Sequence, residues 1–267
     1  MDLLKRALAP ITDQAWEQIE QMAKRVLKTQ LTARKFVDVV GPKGWDQGAV
    51  ALGRLEVPPD QSGREVEYGV HRVQPLVETR ARFELDIWEL DNAVRGAKDI
   101  DLDALIAATR SAAQFEDQAV FKGFEPGGIE GLEQAARQAS LELAAEATPF
   151  LDTVSEAMLV LETSAIGGPY ALVLGAQAFR FAASSAAGYP LLRNIERLID
   201  GPVIHSAEIE GGFLVSTRGG DFELSLGQDY SIGYESSSNR KVMLFLTESF
   251  TFRVLEPMAF VPLAYRS

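Results

Sequence analysis

Glu84 and Asp86 stand two residues apart in the run ELDIWELDN, residues 84–92. In a strand that spacing sets both carboxylates on one face, where paired acids can divide general acid and general base work. The opposite face would carry Phe83, Leu85 and Ile87, so the run equally fits a half-buried strand with a solvated acidic side. A second acid-rich stretch, GGDFELSLGQDYSIGYE at residues 219–235, raises calcium or phosphate binding. Asp221, Glu223 and Asp229 lack the alternate spacing around a central glycine that a calcium loop needs. No glycine-rich turn closes on Lys-Ser or Lys-Thr, and GxGxxG and GxSxG are absent. The two histidines, His71 and His205, lie in different segments without partners at metal-ligand spacing. With no cysteine, thiolate metal sites, disulfides and a cysteine nucleophile are excluded. These absences point away from an ordinary enzyme.

The elements that would position these residues can be read from periodicity. Thr12 is an N-cap followed by Asp13, and Trp16, Ile19, Met22, Ala23, Val26, Leu27 and Leu31 recur at helical spacing. That stripe spans roughly half the helix circumference, wider than one packing contact needs. It fits either a well-buried helix or one that packs on its own domain and leaves a groove for a guest. From Trp45 to Ile87 the pattern is that of strands: AVALGRLEV, a turn at Pro58, Pro59, Asp60, Ser62 and Gly63, then REVEYGVHRV with Val66, Tyr68 and Val70 alternating. A long arm with few apolar residues at its tip predicts contact with another copy of the chain. Residues 101–121 and 132–163 read as helices, GPYALVLG as a buried strand, and residues 176–202 as two helices broken at Gly188-Tyr189-Pro190. In the glycine-rich stretch, Phe222, Leu224 and Leu226 form one strand and Tyr230, Ile232 and Tyr234 the next. Gly227-Gln228-Asp229 turns the chain between them, which predicts a meander.

The bulk composition agrees with a sizeable folded core: 267 residues, 46% hydrophobic and 24% charged. A net charge of −12 disfavours a nucleic-acid partner. No stretch approaches the length of a membrane span and the N-terminus lacks a signal-peptide core, so a cytoplasmic protein is expected.

Taken in order, several short motifs resemble one family nearly end to end. They are LAPIT with Trp16 four residues beyond its threonine, ARKFVDVVGPKGW, LDIWELDN with an RG close behind, FEDQAVFKG, GPYALVL, GYPL, RGGDFELSLGQDYSIGY and ESFTFRV. The resemblance is to the first, compact class of encapsulins, shell proteins on the tailed-bacteriophage major-capsid fold, once labelled linocin-type bacteriocins. It implies an α+β fold with an N-terminal helix and start of the peripheral domain at 1–45 and an extended loop at 46–84. A further peripheral part with a long helix would span 85–135, an axial domain 136–212, and peripheral strands 213–267. It implies a non-enzymatic icosahedral nanocompartment of roughly sixty copies or a multiple. The shell would enclose a cargo enzyme, a ferritin-like iron oxidase or a dye-decolorizing peroxidase, for iron storage or oxidative-stress protection.

The same resemblance assigns residues. Cargo would dock through a C-terminal targeting peptide on Leu27, Leu31, Arg34, Phe36 and Asp38, with Ile232 across from them; ordinary core packing competes for Leu27 and Phe36. A flavin (FMN), not required by the shell, would meet Arg80, Trp88 and Tyr189. Ala186, Ala187, Gly188 and Tyr189 would line a small, nearly uncharged pore. Two alternatives remain open from sequence: a phage or prophage capsid protein packaging DNA, and a flavin-binding shell with redox activity of its own.

Overall fold

The computed structural model describes residues 3–61, 63–186 and 188–265; Ser62, expected in the arm turn, and Ala187, expected to line a pore, lie outside the described residues. Thr12 caps α1 (Asp13–Gln30), its hydroxyl accepting from the Ala15 N–H. The buried stripe of α1 is Ala15, Trp16, Ile19, Ala23 and Val26; Met22 and Leu27 are half-buried, so the interior face is narrower than the periodicity indicates. A short 3-10 turn at Ala33–Lys35 leads to β1 (Asp38–Val40).

The arm forms as expected from β2 (Ala49–Glu56) and β3 (Val70–Pro75), antiparallel, but its return strand starts only at Val70. Upstream, the Gln61 side chain bonds both the N–H and the carbonyl of Tyr68, replacing ladder bonds there. β4 (Val77–Asp86) re-enters the body, and α2 (Ile87–Val94) follows at once. Ile87 therefore opens a helix instead of extending the strand, because the Asp86 carboxylate accepts from the Trp88 and Glu89 N–H groups and caps it.

The long α3 (Asp103–Lys122) stops at Gly123. The expected 132–163 helix is three elements: α4 (Leu132–Ala135), β5 (Leu141–Leu143) and α5 (Ala147–Thr163). The alanine-rich helical preference yields at 141–143 because those residues pair in parallel with a strand at the far C-terminus. Then come β6 (Tyr170–Leu174), α6 (Ala176–Ser184), α7 (Leu191–Ile199), β7 (Val203–His205), β8 (Gly212–Ser216), β9 (Phe222–Leu226), β10 (Ser231–Ser237), β11 (Lys241–Val254) and β12 (Phe260–Tyr265).

These strands make two five-stranded sheets besides the arm. The second runs β5-β12-β8-β6-β7, so the segment 136–212 is completed by β8 and β12 from beyond it. In the first, β11 is the spine. Thr247 faces Arg80 of β4 on one side and Ser231 of β10 on the other; Phe250 likewise faces Val77 and Leu226. β9 and β10 therefore lie end to end along the side of β11 away from β4, both antiparallel to it. The predicted meander is not formed. From Leu226 to Ser231 the chain advances five residues while its partner moves three, from Phe250 to Thr247. Gly227-Gln228-Asp229 is thus an insertion in one interrupted strand, fixed by Gln228 N–H on Ser249 Oγ and Ser249 N–H on the Gln228 carbonyl.

Two clusters of buried side chains result. One surrounds the second sheet and reaches Phe36, Phe222 and Phe250. The other lies under the first sheet, where α1, α2 and α3 cover Phe83, Leu85, Ile232, Leu244 and Leu246.

Candidate functional site

The six residues expected to bind a guest peptide gather around the end of α1, but not as one open groove. Leu31 closes α1, its N–H donating to the Leu27 carbonyl, and is itself buried. Phe36 packs inside the first cluster, 5.9 Å from the Phe121 ring and 6.3 Å from Phe222. Ile232 belongs to the other cluster and is 5% exposed. Leu27 and Asp38 present surface, and Asp38 accepts from the Gly220 N–H at 2.6 Å. Phe36 and Ile232 therefore belong to different cores and do not face each other across one open groove.

Arg34 occupies the boundary between those cores. Its guanidinium donates to both Glu116 oxygens at 2.5 to 3.0 Å, to Asp229 at 2.9 Å and to Glu248. Its face lies 5.2 Å from the Tyr230 ring. Most donors of the side chain expected to hold a peptide's polar end thus meet three carboxylates of the chain itself. Glu116 and Glu248 are fully buried, and Oε2 of Glu248 has no partner among the described residues. Burial, then the neighbouring Glu116 charge, raises Glu248 well above the usual carboxylate range. Asp117, next to Glu116 on α3, is pushed up to about 6 by burial, against hydrogen bonds from the Ala33 and Thr32 N–H groups. The bulge at 227–229 is what brings Asp229 and Tyr230 to Arg34.

Sequence reading missed this cluster, yet carried its signal. Glu116 falls on the apolar stripe of α3 between Ala112 and Ala119, and Glu248 takes an inward position between Leu246 and Phe250. A charged residue on a buried face requires a partner.

The acid pair Glu84 and Asp86 is likewise spoken for: Glu84 lies 3.4 Å from Lys241, and Asp86 pairs with Arg240 at 2.9 Å while capping α2. Both border a cleft of about 650 Å³ beside Trp88, which is 70% exposed. Arg80 is elsewhere, stacked 4.2 Å from the Phe245 ring and paired with Glu78. Tyr189 is exposed in the 188–190 turn. A single chain does not bring Arg80, Trp88 and Tyr189 together. Ala186 pairs with Pro190 to close the loop expected to line a pore, and Gly188 sits at φ 70° with open space around it.

The family model described as "Encapsulating protein for peroxidase" matches residues 1–251. The chain is 44% identical over 270 residues to a type 1 encapsulin shell protein of Rhodospirillum rubrum, covering 98% of this chain and 96% of that one. This chain belongs to the encapsulin shell-protein family. Its relatives are named as structural shell proteins, and the encapsulin is accordingly the subunit of a self-assembling nanocompartment shell. The fold agrees. A virus-like particle from Pyrococcus furiosus superposes with a TM-score of 0.67 at 14% identity, over 92% of this chain and 97% of that one. The capsid of Myoviridae phage XM1 gives 0.54 at 12% identity, over 86% and 90%. At such identities the likeness is of fold alone: the encapsulin has the α+β tailed-phage capsid architecture. Among the described residues no helix is long and apolar enough to cross a membrane.

Proposed function

We propose that this encapsulin encloses an oxidative enzyme, a dye-decolorizing peroxidase or a ferritin-like iron oxidase, recruited by a C-terminal targeting peptide, in a cytoplasmic shell of roughly sixty copies or a multiple. The observation that supports it is the match over residues 1–251 to a family described as encapsulating a peroxidase. The targeting peptide docks beside the end of α1, against Leu27, the rim of Leu31 and Asp38. Arg34, Phe36 and Ile232 set the shape of that face from within. The test is co-expression with a peroxidase or ferritin-like protein bearing its own C-terminal tail, followed by electron microscopy and activity of the purified particles. Hollow particles that retain the enzyme only when its tail is present support the reading. Particles that carry nucleic acid and exclude both enzymes would overturn it in favour of a capsid that packages DNA.

A flavin on this shell requires a site between subunits, because Trp88 lines its cleft without Arg80 or Tyr189. Yellow particles that lose colour on Trp88→Ala would support that site, and colourless particles would remove it.

A further inference from the structure

β10 is an edge strand whose edge is not free. In an antiparallel pair, alternate residues point both backbone groups to the same side. Ser231 and Gly233 face β11, so Ile232 and Tyr234 face outward. The chain's own N-terminus lies there, with the Tyr234 N–H donating to the Leu4 carbonyl at 2.7 Å. The Ile232 side chain is buried separately, beneath the sheet against the helices, so what the N-terminal segment covers is the backbone edge of β10.

The covering segment is weakly held. The turn Arg6–Leu8 buries no residue, and Leu8 is 69% exposed. Lys5 adopts φ 48°, ψ 28°, a left-handed conformation unfavourable for a side-chain-bearing residue. Besides the Leu4 bond to β10 and Ala9 against the core, Arg6 ties it to α1, paired with Glu20 at 2.5 Å and stacked 4.3 Å from the Trp16 ring. Below it lies a cavity of about 470 Å³ bordered by Asp13, Trp16, Glu17 and Glu20. Removing the segment would therefore uncover two outward backbone rungs beside an aromatic ring and three acids. That surface fits an extended peptide carrying a basic residue next to an apolar one, joined by strand addition.

We propose that residues 3–9 form a displaceable strap, and that the edge of β10 beneath it pairs with the extended tail of a guest. The identity of the guest rests on the docking reading above; the strap does not.

Position 5 tests it in both directions in the full chain. Proline cannot adopt positive φ, so Lys5→Pro releases the strap, while Lys5→Gly removes its strain and tightens it. The probe is a fluorescent protein ending in LLKRALAP, the sequence of residues 3–10, co-expressed with each shell; a tail of LLEEALAP is its control. Amide exchange over residues 230–236 is expected to quicken on the order of tenfold in Lys5→Pro and to slow in Lys5→Gly. Lys5→Pro particles should retain about fivefold more probe than wild type, and Lys5→Gly less, consistent with the size of left-handed strain. Unchanged exchange in both variants, or equal retention of probe and control, overturns the strap and its edge. An exchange shift with natural cargo held equally by all three shells overturns the guest assignment alone.

Discussion

Arg34 holds two parts of the chain that are distant in sequence, α3 through Glu116 and β11 through Glu248. Removing one partner of a buried ion cluster leaves uncompensated charge, which costs about 3–5 kcal/mol. Arg34→Met is therefore expected to lower the yield of assembled particles sharply. Adding Glu248→Gln should restore part of it, as read by size-exclusion chromatography. The same cluster sets a pH dependence. Glu248 and Asp117 both bind their protons more tightly in the fold than in the unfolded chain, which favours the fold most at acidic pH. That advantage is lost as pH rises above the ordinary carboxylate range, through about 6 for Asp117, with Glu248 raised in the same direction by its burial. Glu248→Gln keeps the shape and cannot ionise. Its particles should lose less melting temperature than wild type over a pH series that rises from the ordinary carboxylate range to alkaline pH. An identical decline in both would show that Glu248 does not titrate in that range.

At the scale of elements, backbone crowding separates glycines that sequence alone treats alike. A Cβ on Gly175, between β6 and α6, would meet the Ile209 and Glu210 carbonyl oxygens at 2.4 Å. Gly188 has open space and only an unfavourable φ. Gly175→Ala should destabilise by about 1–3 kcal/mol through forced backbone shifts. Gly188→Ala should disturb only its own loop, so differential scanning calorimetry should separate the two. The helices α1, α3, α6 and α7, the arm and most strands were legible from periodicity and caps, because each depends on neighbours in sequence. The break at 136–146 and the end-to-end placement of β9 and β10 were not. Both are imposed by distant partners, β12 and β11, that local pattern does not reveal. The same holds at the candidate site: Leu27 is half-buried and Asp38 exposed, but helical spacing could not show that Phe36 and Ile232 enter different cores.

For the whole molecule, the arm is where one subunit is least self-sufficient. Leu55, Val70 and Val73 are exposed on its two strands and Val57 just beyond the first, with Val66 towards the tip 77% exposed. So many apolar side chains on an isolated hairpin are not stable in water without a covering surface. The prediction for a self-assembling shell protein is that another copy supplies that surface, and closed symmetry would then repeat the contact. Burying each valine contributes about 1.5–3 kcal/mol, so one unfavourable substitution is multiplied around the particle. The arm carries no side chain of either main core apart from the residues at its root, so a charge there should leave the subunit folded. Val70→Asp combined with Val73→Asp is thus expected to give folded monomers or small oligomers. Circular dichroism should match wild type, while electron microscopy shows no closed particles. Intact particles from that variant would mean that the arm lies free, and that closure rests on the axial and peripheral faces alone.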